Sequence, residues 1–188
     1  MTKRERLLNA FQNKPVDRIP MGFWYHFSPD EDPGQAMVDQ HLALYREVGM
    51  DMIKVMCDGD FNYPNPYIQK VTCPEDWFGL TPLGEDHPFI TGQVERAKRI
   101  VAAVAGECCV FYNVFCPMSL MRFGTSEELL MEHLRANPEA VCHAFTVIAQ
   151  DIKTLVRKLI KEAGCDGIYY CVQNAEKFRF TAEEYRKL

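Results

Sequence analysis

"GMDMIKVMCD" occupies residues 49–58, and "GCDGIYY" occupies residues 164–170. Each begins with a glycine, passes through an aspartate and continues as an apolar run. Glycine suits the left-handed residue that closes a helix. A short apolar run behind it suits a strand buried on both faces. The two stretches therefore read as one joint, helix into strand, met twice. Residues 51–57 and 167–172 are predicted strands. "CCVFYNVF" (108–115) and "IPMGFWY" (19–25), the latter following "PVDR" (15–18), give two more runs of the same kind.

Helices are expected between them. Thr2 and Glu5 form a capping box, with Leu7, Leu8 and Phe11 following at helical spacing. Asp32 and Pro33 read as an N-cap and first-turn pair, and Gly49 closes a helix over about 33–48. Thr91 is predicted to cap a helix reaching about Ala105. Thr125 or Ser126 starts a short helix, and Asn137-Pro138-Glu139 starts a long one. The long helix places Val141, Phe145, Ile148, Ile152, Leu155, Leu159 and Ala163 on one face, and Gly164 ends it. Thr181 caps a last helix. Residues 58–90 are rich in Pro, Gly and aromatics and read as a long irregular segment, a kind that is often functional.

The order is thus one helix and then βα four times, which implies a parallel sheet covered by helices. An open doubly wound sheet and a barrel both fit. No Gly-rich turn follows either early strand, which weighs against a nucleotide phosphate site.

The bulk properties exclude several partners. The chain has 188 residues, enough for one domain, with 47% hydrophobic and 25% charged residues. Its net charge is −5, with no basic run, so neither a nucleic-acid nor a membrane partner is expected. The N-terminus has no apolar core of a signal peptide, and no stretch approaches the ~18 apolar residues of a membrane span. A cytoplasmic location is expected. The eight cysteines are scattered and form no Cys-x-x-Cys, so they read as reduced, small apolar residues rather than metal ligands.

In either architecture the ligand side is the C-terminal end of the strands. Those ends carry Trp24, Tyr25 and His26; Cys57, Asp58 and Asp60; Cys116, Pro117, Met118 and Ser119; and Cys171, Gln173 and Asn174. An Asp at the end of a buried strand persists through a partner or a task. Asp58 is therefore a candidate for proton transfer or for orienting an N–H-rich ligand, and also for simply capping the turn at Gly59. His26 is a candidate base or ligand contact, or a packing residue.

"PVDRIP" after a short helix, "EVGMDMIKVMCD", "FCPMSLM", "NPEAV" and "EAGCDGIYY" stand in the order seen in the uroporphyrinogen decarboxylase superfamily, which the sequence resembles over essentially its whole length. The resemblance implies α/β architecture, specifically the N-terminal half of a (β/α)8 barrel: a leading helix and four βα units. It also implies one of two chemistries. One is cofactor-free decarboxylation of a tetrapyrrole. The other is methyl transfer between a corrinoid protein and a thiol, assisted by zinc.

Asp58 matches the aspartate that binds pyrrole N–H groups in the decarboxylases. Their arginine-bearing segment after strand one is replaced by Trp24-Tyr25-His26-Phe27, and Phe123 stands where a tyrosine is expected. A polycarboxylate substrate needs fixed cations, and Arg122 is the remaining candidate near this mouth. The methyltransferase branch is therefore expected, with Asp58 and His26 as catalytic residues. Trp24, Tyr25, Asp60, Ser119, Arg122, Phe123, Gln173 and Asn174 are expected to line the ligand. No cofactor is evident from these residues, and any zinc would be held by residues beyond this chain. The expected partner is a small molecule (a tetrapyrrole or a methyl donor or acceptor), with a corrinoid protein as a candidate second partner. Alternatives are the decarboxylase and a non-catalytic half-barrel that pairs with another subunit. A half-barrel has two open sheet edges, so a homodimer is expected.

Overall fold

The computed structural model describes residues 1–27, 34–60, 62–173 and 176–186. Helix α1 (Lys3–Phe11) is closed at its start by the Thr2–Glu5 capping box. Helix α2 (Gln35–Val48) ends on Gly49 at φ +70°, as the glycine requires. The Asp32–Pro33 start expected for it lies outside the described residues. Strand β1 is Met52–Val55, followed by a long segment containing 3-10 helices at Ile68–Lys70 and Pro74–Gly79. Then come α3 (Pro88–Val104), β2 (Cys109–Phe115), α4 (Pro117–Gly124), α5 (Glu127–Ala136), α6 (Pro138–Lys161), β3 (Gly167–Cys171) and α7 (Ala182–Arg186).

The sheet is parallel with order β1-β2-β3. Successive parallel neighbours joined through helices are the arc of a (β/α) barrel. Ile53, Val55, Val110, Tyr112 and Val114 join the apolar faces of α3 and α6 in one core. Alternation along each strand sends Lys54 and Phe111 to the opposite, inner face. No helix of the described residues is long and apolar enough to cross a membrane.

Three expectations are corrected. Residues 19–25 are not a strand, and they are not buried: Ile19 is 82% and Phe23 53% exposed. The segment does lie beside β1, where Gly22 passes so close that a Cβ would meet Met52 at 2.7 Å. However, among the described residues the Asp51 N–H to Met21 carbonyl bond (2.8 Å) is the main-chain hydrogen bond between them. Met21 N–H goes instead to the Asp51 carboxylate, and Phe23 N–H to Met50 sulfur. Side chains have replaced the ladder that would define a strand.

Second, α3 starts at Pro88 rather than Thr91, with His87 Nδ1 accepting the Phe89 N–H at 3.2 Å. Third, a helix not among those expected, α4, follows β2 directly. Pro117 occupies the first turn, where its missing N–H is harmless.

"PVDRIP" works as a clamp. Asp51 is fully buried at the start of β1. Its carboxylate accepts Arg6 Nη1 at 2.6 Å, Arg18 Nη1 at 2.6 Å, Arg18 Nη2 at 2.9 Å and Met21 N–H at 2.8 Å. Asp17 accepts the rest of the Arg6 fork at 2.6 and 2.8 Å. Leading helix α1 is thereby locked beneath β1. Arg4 pairs with Asp166 just before β3, and Phe11 meets Phe111 edge-on at 6.1 Å. Helix α1 thus touches the N-terminal ends of all three strands.

The long segment between β1 and α3 is pinned by one buried carboxylate. Asp151 of α6 accepts the Tyr63 hydroxyl, and the Leu83 N–H at 2.9 Å. Tyr63→Phe is expected to cost about 1–3 kcal/mol, because Asp151 loses a partner while it stays buried. In a chain of this length that lowers the melting temperature by ~2–4 °C per kcal/mol. Thermal melting followed by circular dichroism measures it.

Candidate functional site

The turn after β1 is made by Gly59 at φ +87°, with Asp60 N–H bonded to the Cys57 carbonyl at 2.9 Å. It leaves Asp58 only 5% exposed. Asp58 Oδ1 lies 2.8 Å from His26 Nδ1, and Oδ2 accepts the Phe27 N–H at 3.1 Å. The Phe27 ring packs on His41 at 4.6 Å. His41 donates Nδ1–H to the Met37 carbonyl and accepts the Met56 N–H on Nε2, which ties α2 to the end of β1. Burial holds its pKa below the ordinary value, so it remains the neutral acceptor Met56 needs.

The residues 19–27 and β1 thus bring His26 and Asp58 into contact at the C-terminal end of the sheet. With Nδ1–H donated to the carboxylate, Nε2 carries the imidazole lone pair. A carboxylate that fixes tautomer and ring orientation in this way prepares a histidine for proton transfer.

Below this pair stands a second group. Lys54 Nζ sits 3.9 Å from the Trp24 ring centroid and 3.7 Å from that of Tyr169. The two rings are 6.1 Å apart and tilted by 45°. Neither Lys54 nor Tyr169 was among the expected site residues. The available signal was a lysine inside the apolar run "DMIKVMC". Tyr25 lies on the exposed rim, edge-on to Phe27 at 5.8 Å.

A third group bridges the strands above Lys54. Cys171 Sγ bonds Asn113 Oδ1 at 3.0 Å, and Asn113 Nδ2 bonds Cys57 Sγ at 3.3 Å. Burial pushes the Cys57 thiol up to about 12 and raises Cys171 as well. Both are protonated at neutral pH and serve as hydrogen-bonding packing residues. Cys116 Sγ faces Ser119 Oγ at 3.2 Å, and Ser119 is fully buried. Ser119 therefore braces the start of α4 and does not reach the mouth.

Asp60 also turns away from it. Its carboxylate pairs with Arg96 of α3, which reaches the Tyr112 hydroxyl on the helix side of the sheet. Arg122 and Gln173 do meet each other, and Arg122 Nη1 lies 3.9 Å from Glu127. Phe123 packs edge-on against Phe115 at 5.1 Å. Asn174 lies outside the described residues. The expected site therefore divides. His26, Asp58, Trp24 and Tyr25 cluster on the inner side, Arg122 and Gln173 form a pair beyond β2 and β3, and Asp60 and Ser119 serve the packing.

Among the described residues, no three His, Cys, Asp or Glu side chains stand close enough to hold a metal ion. The zinc implied by the resemblance finds no ligand set among them. All eight cysteines are unbridged, and Cys73 is the exposed one. Ellman's reagent is expected to modify Cys73 rapidly in the folded protein and the buried thiols only on unfolding, as followed by the absorbance of the released dye.

Comparison with family models and with curated proteins finds no match. Among solved structures, the chain is similar to a methyltransferase from Methanosarcina mazei, with a TM-score of 0.69 at 14% sequence identity. The alignment covers 100% of this chain and 64% of that one. At this identity the likeness is one of fold, and the chain spans less than two thirds of its neighbour's length.

Proposed function

We propose that this chain carries part of the active site of a methyltransferase that moves a methyl group from a corrinoid-bearing partner to a small thiol. The observation that carries the reading is the His26–Asp58 pair at the C-terminal end of a parallel barrel sheet, where barrel enzymes place their chemistry. The fold likeness to a methyltransferase supports it, as does the resemblance to a superfamily that includes such enzymes.

In this reading Asp58 holds His26 with Nε2 as the basic nitrogen. Nε2 takes the proton of the acceptor thiol. The thiolate then attacks the methyl carbon, a new C–S bond forms, and the leaving group departs with the electron pair of the broken bond. The proton rests on His26 until solvent removes it. Trp24 and Tyr25 supply apolar rims that keep water from the thiolate.

The test is methyl transfer from methylcobalamin to 2-mercaptoethanesulfonate by the full-length protein, followed by the change in corrinoid absorbance. Turnover above the uncatalysed background supports the reading, and its loss in His26→Ala assigns the base. Absence of turnover with several thiols overturns it. The decarboxylase alternative has its own assay. Both Asp58 oxygens are already engaged by His26 and Phe27. Coproporphyrinogen formation from uroporphyrinogen is accordingly expected to stay far below ~1 s⁻¹, the low end of ordinary enzymatic turnover.

A further inference from the structure

Lys54 stands in the middle of β1, on the inner face, opposite Phe111 in the sheet register. It is only 5% exposed. A buried ammonium is costly unless it is paired. Its two ring contacts offset part of that cost, because the negative faces of Trp24 and Tyr169 attract the charge. Ring faces accept no strong hydrogen bond, however, and an ammonium has three N–H donors.

Among the described residues no carboxylate pairs with Lys54 Nζ, and no oxygen accepts from it. Asp58, the acid that follows the strand, is occupied by His26 and Phe27. Nearby polar groups are the Cys57 and Cys171 thiols, which burial keeps protonated. Two other buried cations among the described residues are paired with carboxylates: Arg6 with Asp17 and Asp51, and Arg96 with Asp60. Lys54 differs from both. It is a caged cation with donors to spare, four residues before Asp58 in the chain.

We propose that Lys54 is the anchor for the carboxylate of a small anionic ligand bound over the inner face of the sheet. The Trp24 and Tyr169 rings fix the ammonium between them, so its donors need little reordering when the anion arrives. The carboxylate completes a charge-assisted hydrogen bond in a site where water is scarce. Desolvation lowers the Lys54 pKa when no anion is present, and a bound carboxylate raises it again. Anion binding and protonation are therefore linked. The inference takes from the proposed function only that the inner face is the ligand side. It deepens that reading by naming a carboxylate on the ligand.

The probe is trifluoroacetate, followed by fluorine NMR on the full-length protein, with trifluoroacetamide as the neutral control. Saturable binding of the anion but not of the amide is expected. Lys54→Met should weaken it by at least about tenfold, the scale of one charge-assisted hydrogen bond. Lys54→Arg should retain most of it. Affinity for the wild type should fall as pH rises through the lowered lysine pKa. The same anion should raise the wild-type melting temperature, which needs no variant to fold.

Equal binding to Lys54→Met, or equal binding of the amide, overturns the proposal. So does a wild type that ignores the anion while Lys54→Met loses stability, since Lys54 would then already be paired with a carboxylate of the protein. None of these measurements involves methyl transfer. A failed transfer assay leaves the anion site standing, and a failed titration leaves the transfer reading standing.

Discussion

Replacing Asp51 with alanine is expected to cost about 3–5 kcal/mol, the scale for breaking a buried ion pair from one side. The loss falls on every group the carboxylate gathers. Arg6 is buried and would keep Asp17 and the Met1 carbonyl but lose its buried partner. Met21 N–H would lose its acceptor, and Arg18 its bidentate partner. A domain's whole stability is ~5–15 kcal/mol, so this variant should denature at a much lower urea concentration.

The same network fixes the acid response. Burial alone would raise the Asp51 pKa, but Arg18, the Met21 N–H and Arg6 together outweigh it and hold it low. Arg6 holds Asp17 well below the usual carboxylate range. Both folded pKa values lie below the unfolded ones. Their contribution is thus fully present above about pH 4 and is lost as pH falls through the folded values. Asp51→Ala should flatten the stability–pH curve below that point, as urea titrations at several pH values would record.

Asp58→Asn is expected to lower the rate of the proposed methyl transfer by about 10²–10⁴-fold, the usual worth of a positioned acid or base. The substitution keeps the size and still offers an oxygen to the Phe27 N–H. Its NH2 group, however, faces His26 Nδ1 and donates where the carboxylate accepted. The imidazole proton is then driven to Nε2, the nitrogen that must take one. His26→Ala should lose a similar factor. The double variant should lose little more than either alone, because the two residues act as one unit. Stopped-flow rates with circular dichroism to confirm folding would measure this. An unchanged rate in Asp58→Asn would remove the pair from the mechanism.

Much of the fold was legible because it rests on local signals. The Thr2–Glu5 box, Asn137-Pro138 and the closing glycines 49 and 164 all act within a few residues of themselves. The parallel order followed from alternation and is observed in the register of β1 with β2 and of β2 with β3.

What was not legible depends on partners distant in sequence. "IPMGFWY" has the composition of a buried strand, but composition does not reveal that Asp51 would take the place of a ladder. At the site, the position of Asp58 was readable from the end of its strand. Its contact with His26 needed the path of residues 19–27. Asp60 looked equivalent to Asp58 until the turn at Gly59 directed it to Arg96. Lys54 passed as an ordinary strand residue, because a sequence shows the charge but not the two rings around it.

Helix α1 has a consequence for synthesis. Its Arg4 pairs with Asp166, 162 residues later in the chain, and its Phe11 needs Phe111. At ~5–20 residues per second on the ribosome, α1 waits roughly 8–32 s for its last partner to be made. Until β2 is made, Phe11 has no partner ring and Leu7 no sheet to cover. Closing so long a loop also costs entropy before the contact returns anything. Helix α1 emerges well before the strands it seals and docks after them, which makes it the stretch most open to misassembly while the chain is being made.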